Sequence, residues 1–206
     1  MIAMSFVGLL LIANVAATKL FAVGTSSWHL TFDGGAVLFP FTYILGDVLA
    51  EVYGFVRARR VIVAGFVLSA LAALTFWVVA VLPAAPEYQN QEAFSVILGF
   101  VPRIVTASLL AFLVGQILNA YVLVAMKKRW GNGSLWVRLL GSSVVGEGAD
   151  TVIFCLIAFG GVISGPEMAN YMLVGYLYKL AVEVLLLPLT YPAIRWVQGS
   201  RKGEDL

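Results

Sequence analysis

The chain is 206 residues long, 61% hydrophobic and only 12% charged, with a net charge of +2 at pH 7. That balance excludes a soluble globular domain and places the chain among integral membrane proteins. Its small positive charge is sorted along the chain as membrane topology sorts it, and gives no support to nucleic-acid binding.

In chain order, six apolar segments cover about residues 3–23, 36–55, 60–82, 103–126, 136–161 and 172–196, each long enough for a helix across a ~30 Å hydrocarbon core. The expectation is an all-α, polytopic membrane protein with six transmembrane helices, residues 1–206 forming a single transmembrane domain. The first segment has no basic n-region and no convincing cleavage site, so it is read as a retained helix. Little chain remains between the segments and no Walker-type phosphate loop is present. No soluble catalytic or nucleotide-binding domain is therefore expected, and work driven directly by ATP would need another subunit.

Basic residues mark the loops on one side. Arg57, Arg59 and Arg60 follow the second segment, Lys127, Lys128 and Arg129 the fourth, and Arg195, Arg201 and Lys202 the sixth. The opposite loops carry Asp33, Glu87, Glu92 and Glu167. The positive-inside rule then predicts both termini in the cytoplasm. Cys155 is the sole cysteine, in apolar surroundings that read as a packed thiol. His29, the sole histidine, reads as a loop residue beside Trp28, and no metal or other cofactor is expected.

Five carboxylates interrupt the apolar segments: Asp47, Glu51, Glu147, Asp150 and Glu183. A charge near the bilayer centre costs roughly 2.5–3.5 kcal/mol on insertion scales, so such residues face a partner or a polar cavity. Helical spacing puts Asp47 with Glu51, Glu147 with Asp150, and Lys179 with Glu183 on shared faces. Lys19, Arg103, Arg138 and Lys179 supply cations. Charges of opposite sign can hold a bundle in register, which is the reading for Lys179 with Glu183. Lys19 has two readings, snorkelling to the outer interface or meeting a substrate. The like-charge pairs point to function, because adjacent carboxylates need a cation, a proton or a donor ligand.

Asn14, Gln116 and Asn119 add amides that can orient a flat heterocycle or bond helix to helix, and Ser142 and Ser143 add hydroxyls. Gly141, Gly146 and Gly148 clear space around Glu147. The binding candidates are thus Asn14, Asp47, Glu51, Gln116, Asn119, Arg138, Glu147 and Asp150, with Lys19, Lys179 and Glu183 in structural or coupling roles. Nothing resembles a nucleophile-and-base set, so an enzyme is not expected. Most tyrosines and tryptophans read as belt anchors against membrane lipid.

Ile12-Ala13-Asn14 is echoed by Ile117-Leu118-Asn119, and Gly46-Asp47 with Glu51 by Gly146-Glu147 with Asp150. Read as a repeat, this relates helices 1–3 to helices 4–6 in inverted orientation; the other reading is chance similarity of glycine-rich helices. Pro40, Pro188 and Pro192 mark candidate helix breaks or kinks.

Asn14-Val15-Ala16-Ala17-Thr18-Lys19, Gly46-Asp47-Val48-Leu49-Ala50-Glu51-Val52-Tyr53-Gly54, Gly115-Gln116-Ile117-Leu118-Asn119 and Gly146-Glu147-Gly148-Ala149-Asp150-Thr151, with the segment from Trp136 to Gly160, resemble the queuosine precursor transporter family, also called vitamin-uptake-transporter-like. A threonine is more usual there at the position of Ser143. The resemblance implies uptake of the 7-deazaguanine bases preQ0 or preQ1 through the bacterial cell inner membrane, and the leading reading is a small secondary transporter or facilitator working by alternating access. Carboxylates suit such a ligand, since a guanine-like edge offers adjacent N–H donors and preQ1 adds an ammonium. The alternative is a substrate-binding subunit of a multi-component ATP-driven importer, for which Ala13 and Ala17 offer a small-residue packing face. A homodimer is a further expectation.

Overall fold

The long apolar runs fold as helices, because a backbone in hydrocarbon must satisfy its own N–H and C=O groups. The computed structural model describes residues 1–25, 28–130 and 135–204, and side chains within that range except those at 55, 127, 130, 135–140, 187, 190, 191, 193, 194 and 198–204. The order is α1 (Ile2–Ala16), β1 (Leu20–Gly24), β2 (His29–Asp33), a 3-10 turn (Gly34–Val37), α2 (Phe39–Tyr53), α3 (Phe55–Val81), α4 (Gln91–Leu98), α5 (Val101–Trp130), α6 (Leu135–Phe159) and α7 (Gly165–Glu204). Among the described residues, four segments are long and apolar enough to cross a membrane: Val56–Val81, Gln91–Met126, Gly141–Phe159 and Gly165–Leu186.

The first expected segment, about 3–23, is corrected. The helix stops at Ala16, and its 15 residues span roughly 22 Å at 1.5 Å per residue. Thr18 Oγ1 donates to the Val15 carbonyl at 2.8 Å, and the Lys19 N–H donates to the Ala16 carbonyl at 3.1 Å, closing the last turn. Leu20–Gly24 then pairs with His29–Asp33 in a two-stranded sheet, so the all-α expectation gives way to a mostly helical chain with one hairpin. Gly24 makes the turn at φ +140, where an added Cβ would strike the Trp28 carbonyl oxygen.

The chain divides into two compact units. The first comprises Met1–Phe21, Asp33–Val105 and Ala181–Leu206. Within it α1 packs on α2 and α3. Gly65 brings α3 close, since a Cβ there would lie 3.0 Å from Leu10 Cδ2 and 3.6 Å from Val7. One turn along each helix, Asn14 Nδ2 donates to Ser69 Oγ at 3.2 Å, both residues being buried. The 3-10 turn begins where Asp33 accepts from the Gly35 N–H at 2.7 Å. Ala73, Val101 and Val105 form a core with Val15, Phe76 and Leu98 packed on it. Gly54, at φ +81, is the sole residue between α2 and α3, so Arg57, Arg59 and Arg60 belong to the opening turns of α3.

The second unit comprises Ala22–Phe32 and Thr106–Leu180. Phe159 is buried edge-on against Tyr171, and Cys155 is buried as the sequence suggests. Ser164 starts α7, its Oγ accepting from the Glu167 N–H at 3.4 Å. Pro188 and Pro192 lie inside α7 without ending it.

Candidate functional site

Two glycines bring α5 and α6 together in the second unit. A Cβ on Gly115 would lie 3.0 Å from the Gly146 carbonyl oxygen and 3.1 Å from Asp150 Cβ, while one on Gly146 would lie 2.8 Å from Asn119 Cβ. This close approach sets Asn119 beside the face of α6 that carries Glu147, Asp150 and Thr151. From α7, Lys179 Nζ meets Asp150 Oδ2 and stands 3.5 Å from Glu147 Oε2. All three charged side chains are half-buried. One ammonium thus bridges two carboxylates a turn apart, which is how an apolar segment can hold both ionised.

Tyr176, one turn before Lys179, donates its hydroxyl to the Val144 carbonyl at 3.1 Å. Its ring rests where Gly148 lacks a side chain, 3.6 Å from the position of a Cβ. Thr151 is 4% exposed, and its Oγ1 is buried without a hydrogen-bond partner among the described residues, as is Asn119 Oδ1. Buried polar atoms without partners cost stability, so two flanking an ion cluster suit a ligand that supplies donors. Sequence reasoning had no means of choosing Tyr176 among the aromatics, and Thr151 carried no charge to draw attention.

The remaining candidates divide by unit. Glu147, Asp150, Asn119 and Lys179 come together, whereas Gln116 is exposed on α5. Arg138 lies outside the residues whose side chains are described. In the first unit Asn14 serves the α1–α3 packing through Ser69. Asp47 is half-buried on α2, and Glu51 is exposed one turn further on. Lys19 is exposed beyond α1. The structure therefore corrects the Lys179 and Glu183 pairing: Lys179 turns to α6, where it meets Asp150 and Glu147.

Residues 33–193 match a family described as "Putative vitamin uptake transporter". The chain belongs to this vitamin uptake transporter family. The family match runs from the end of β2 into α7 and includes every carboxylate from Asp47 to Glu183. A "Probable queuosine precursor transporter" of Bacillus subtilis is 35% identical over 196 residues, covering 93% of this chain and 84% of the relative. A "Probable queuosine precursor transporter" of Haemophilus influenzae is 32% identical over 183 residues, 86% of this chain and 73% of the relative. The "Queuosine precursor transporter" of Escherichia coli is 30% identical over 173 residues, 81% and 74% of the two chains. No solved structure matches this member of the family.

Proposed function

We propose that this chain carries a queuosine precursor, a 7-deazaguanine base of the preQ0 or preQ1 type, across the bacterial inner membrane. Membership of the family and the names of its relatives support transport of this substrate class. The observation that carries the reading to particular residues is the bridge from Lys179 to Asp150 and Glu147 within apolar helices. A carboxylate accepts the paired N–H donors of a guanine-like edge, and the ammonium of preQ1 can take the place of Lys179 at one of them. Substrate thus exchanges for an internal cation, so neither carboxylate is stranded during loading. Asn119 and Gln116 can serve the ring carbonyl, with Arg138 as a further cation. Asn14, Asp47 and Glu51 are binding candidates of the first unit, each open to a neutral variant.

Six crossings with both termini cytoplasmic, a 3+3 inverted repeat working by alternating access, and a homodimer complete the proposal. The test is uptake of preQ0, preQ1, guanine and biotin by the purified chain in liposomes, with and without a pH gradient. Saturable uptake of the deazaguanines by the chain alone is expected, and its loss in a folded Glu147→Gln variant. Binding without uptake would replace this reading with a substrate-binding subunit, and unchanged uptake by Glu147→Gln would remove Glu147 from the site.

A further inference from the structure

Strand β2 runs beside the first half of α7, and the contacts between them lead from His29 toward Lys179. Asn170 acts as a neighbouring strand for β2: the Thr31 N–H donates to its Oδ1 at 3.1 Å, and its Nδ2 donates to the His29 carbonyl at 2.9 Å. In a two-stranded sheet that edge needs such partners. Thr31 Oγ1 donates to Glu167 Oε1, and His29 Nε2 lies 3.3 and 3.2 Å from the two oxygens of the same carboxylate. Further along, Phe32 stands edge-on to Tyr178 with ring centroids 5.5 Å apart, and Tyr178 immediately precedes Lys179. All these residues belong to the second unit.

Imidazole is the side chain that ordinarily changes charge between pH ~5 and ~8. From α7 it faces Glu167; β1, Leu-Phe-Ala-Val-Gly, carries no titratable side chain, and Asp33 on β2 is engaged with the Gly35 N–H. A neutral ring with its proton on Nε2 gives the Glu167 carboxylate a hydrogen bond from an uncharged donor, whereas an imidazolium adds the attraction of opposite charges. Glu167 lies in the first turn of α7, where the helix macrodipole favours a negative charge. The bonds made by Thr31 and Asn170 do not depend on protonation, so the histidine adds a variable contribution to a fixed attachment.

We propose that His29 and Glu167 form a proton-operated latch, which fastens β2 to α7 when His29 is protonated and, through Phe32 and Tyr178, steadies Lys179 against Asp150. The consequence at Lys179 rests on the transport reading; the latch itself does not. In the bland alternative the same contacts are a static staple, indifferent to the charge on His29.

Hydrogen–deuterium exchange of the protein in lipid nanodiscs, corrected for intrinsic exchange rates, separates the two. Protection of the β2 amides should rise about fivefold between pH ~7.5 and ~5.5 in the parent chain. His29→Gln keeps a donor but cannot gain charge, and should show protection that does not change with pH. Glu167→Gln should behave likewise, and decides the matter if His29→Gln does not fold. A parent chain without the rise, or variants that retain it, would overturn the latch. A pH-dependent β2 in a chain that takes up no deazaguanine would sink the transport reading alone, and deazaguanine uptake with an indifferent β2 would sink the latch alone.

Discussion

Lys179 on α7 meets Asp150 on α6, 29 residues earlier in the chain, and stands 3.5 Å from Glu147 on the same face. Its charge therefore ties two helices together where a pair with Glu183 would have stayed within one. Ionised groups in apolar segments are tolerated when each has a partner, and here one lysine serves two carboxylates. The arrangement is both a structural tie and a place where a cationic or N–H-rich ligand could enter by exchange.

Replacing Lys179 by Met should leave Glu147 and Asp150 repelling each other. The side chains are half-buried, so a cost of about 2 kcal/mol is expected, between that of exposed and that of buried pairs. Thermal unfolding in detergent measures it. Adding Asp150→Asn should recover part of the loss, because the repulsion between the two carboxylates is then gone and Glu147 alone is left without its cation. Strictly additive effects would show that the two residues are not coupled.

Gly146 and Gly8 should respond oppositely to alanine. A Cβ on Gly146 would lie 2.8 Å from Asn119 Cβ, pushing α5 away from α6 at a cost of about 1–3 kcal/mol. Among the described residues, nothing lies within 4 Å of the corresponding position at Gly8 in α1, so alanine there should stabilise by up to ~1 kcal/mol through helix propensity. Unfolding of the two variants side by side checks the contrast. A harmless Gly146→Ala would mean that the helices can part without loss.

The long helices were legible in the sequence because apolar runs in the cores of α3, α5, α6 and α7 leave the backbone no other way to satisfy itself. The end of α1 was not. Leu20–Val23 continues the hydropathy of the preceding helix, and apolar content alone does not separate a strand from one more helical turn. The short helix α4, Gln91–Leu98, was missed because its eight residues fall below any membrane-length window. At the candidate site, spacing correctly put Glu147 and Asp150 on one face, since that follows from a single helix. The partner of Lys179 did not follow, because spacing within α7 is blind to what α6 presents across the packing. His29 read as a lone loop residue for the same reason, as Glu167 lies 138 positions away.

Thr151 gives the sharpest separation of packing from binding. Its hydroxyl is buried on the face shared with Glu147, without a hydrogen-bond partner among the described residues. Thr151→Val keeps the shape and removes that group, and the unliganded melting temperature should stay level or rise, with a gain of at most ~1 kcal/mol. A deazaguanine N–H that bonds this oxygen would lose its acceptor, and the affinity for preQ1 should fall about tenfold, equivalent to ~1.4 kcal/mol. Thr151→Ser retains the oxygen and should bind within about twofold of the parent chain. Thermal shifts titrated with preQ1 on the three proteins read both quantities at once. Parent-like binding by Thr151→Val would assign the residue to packing, and weak binding by Val and Ser variants alike would show that the hydroxyl alone does not account for the loss; only restoration by serine ties the effect to the hydroxyl.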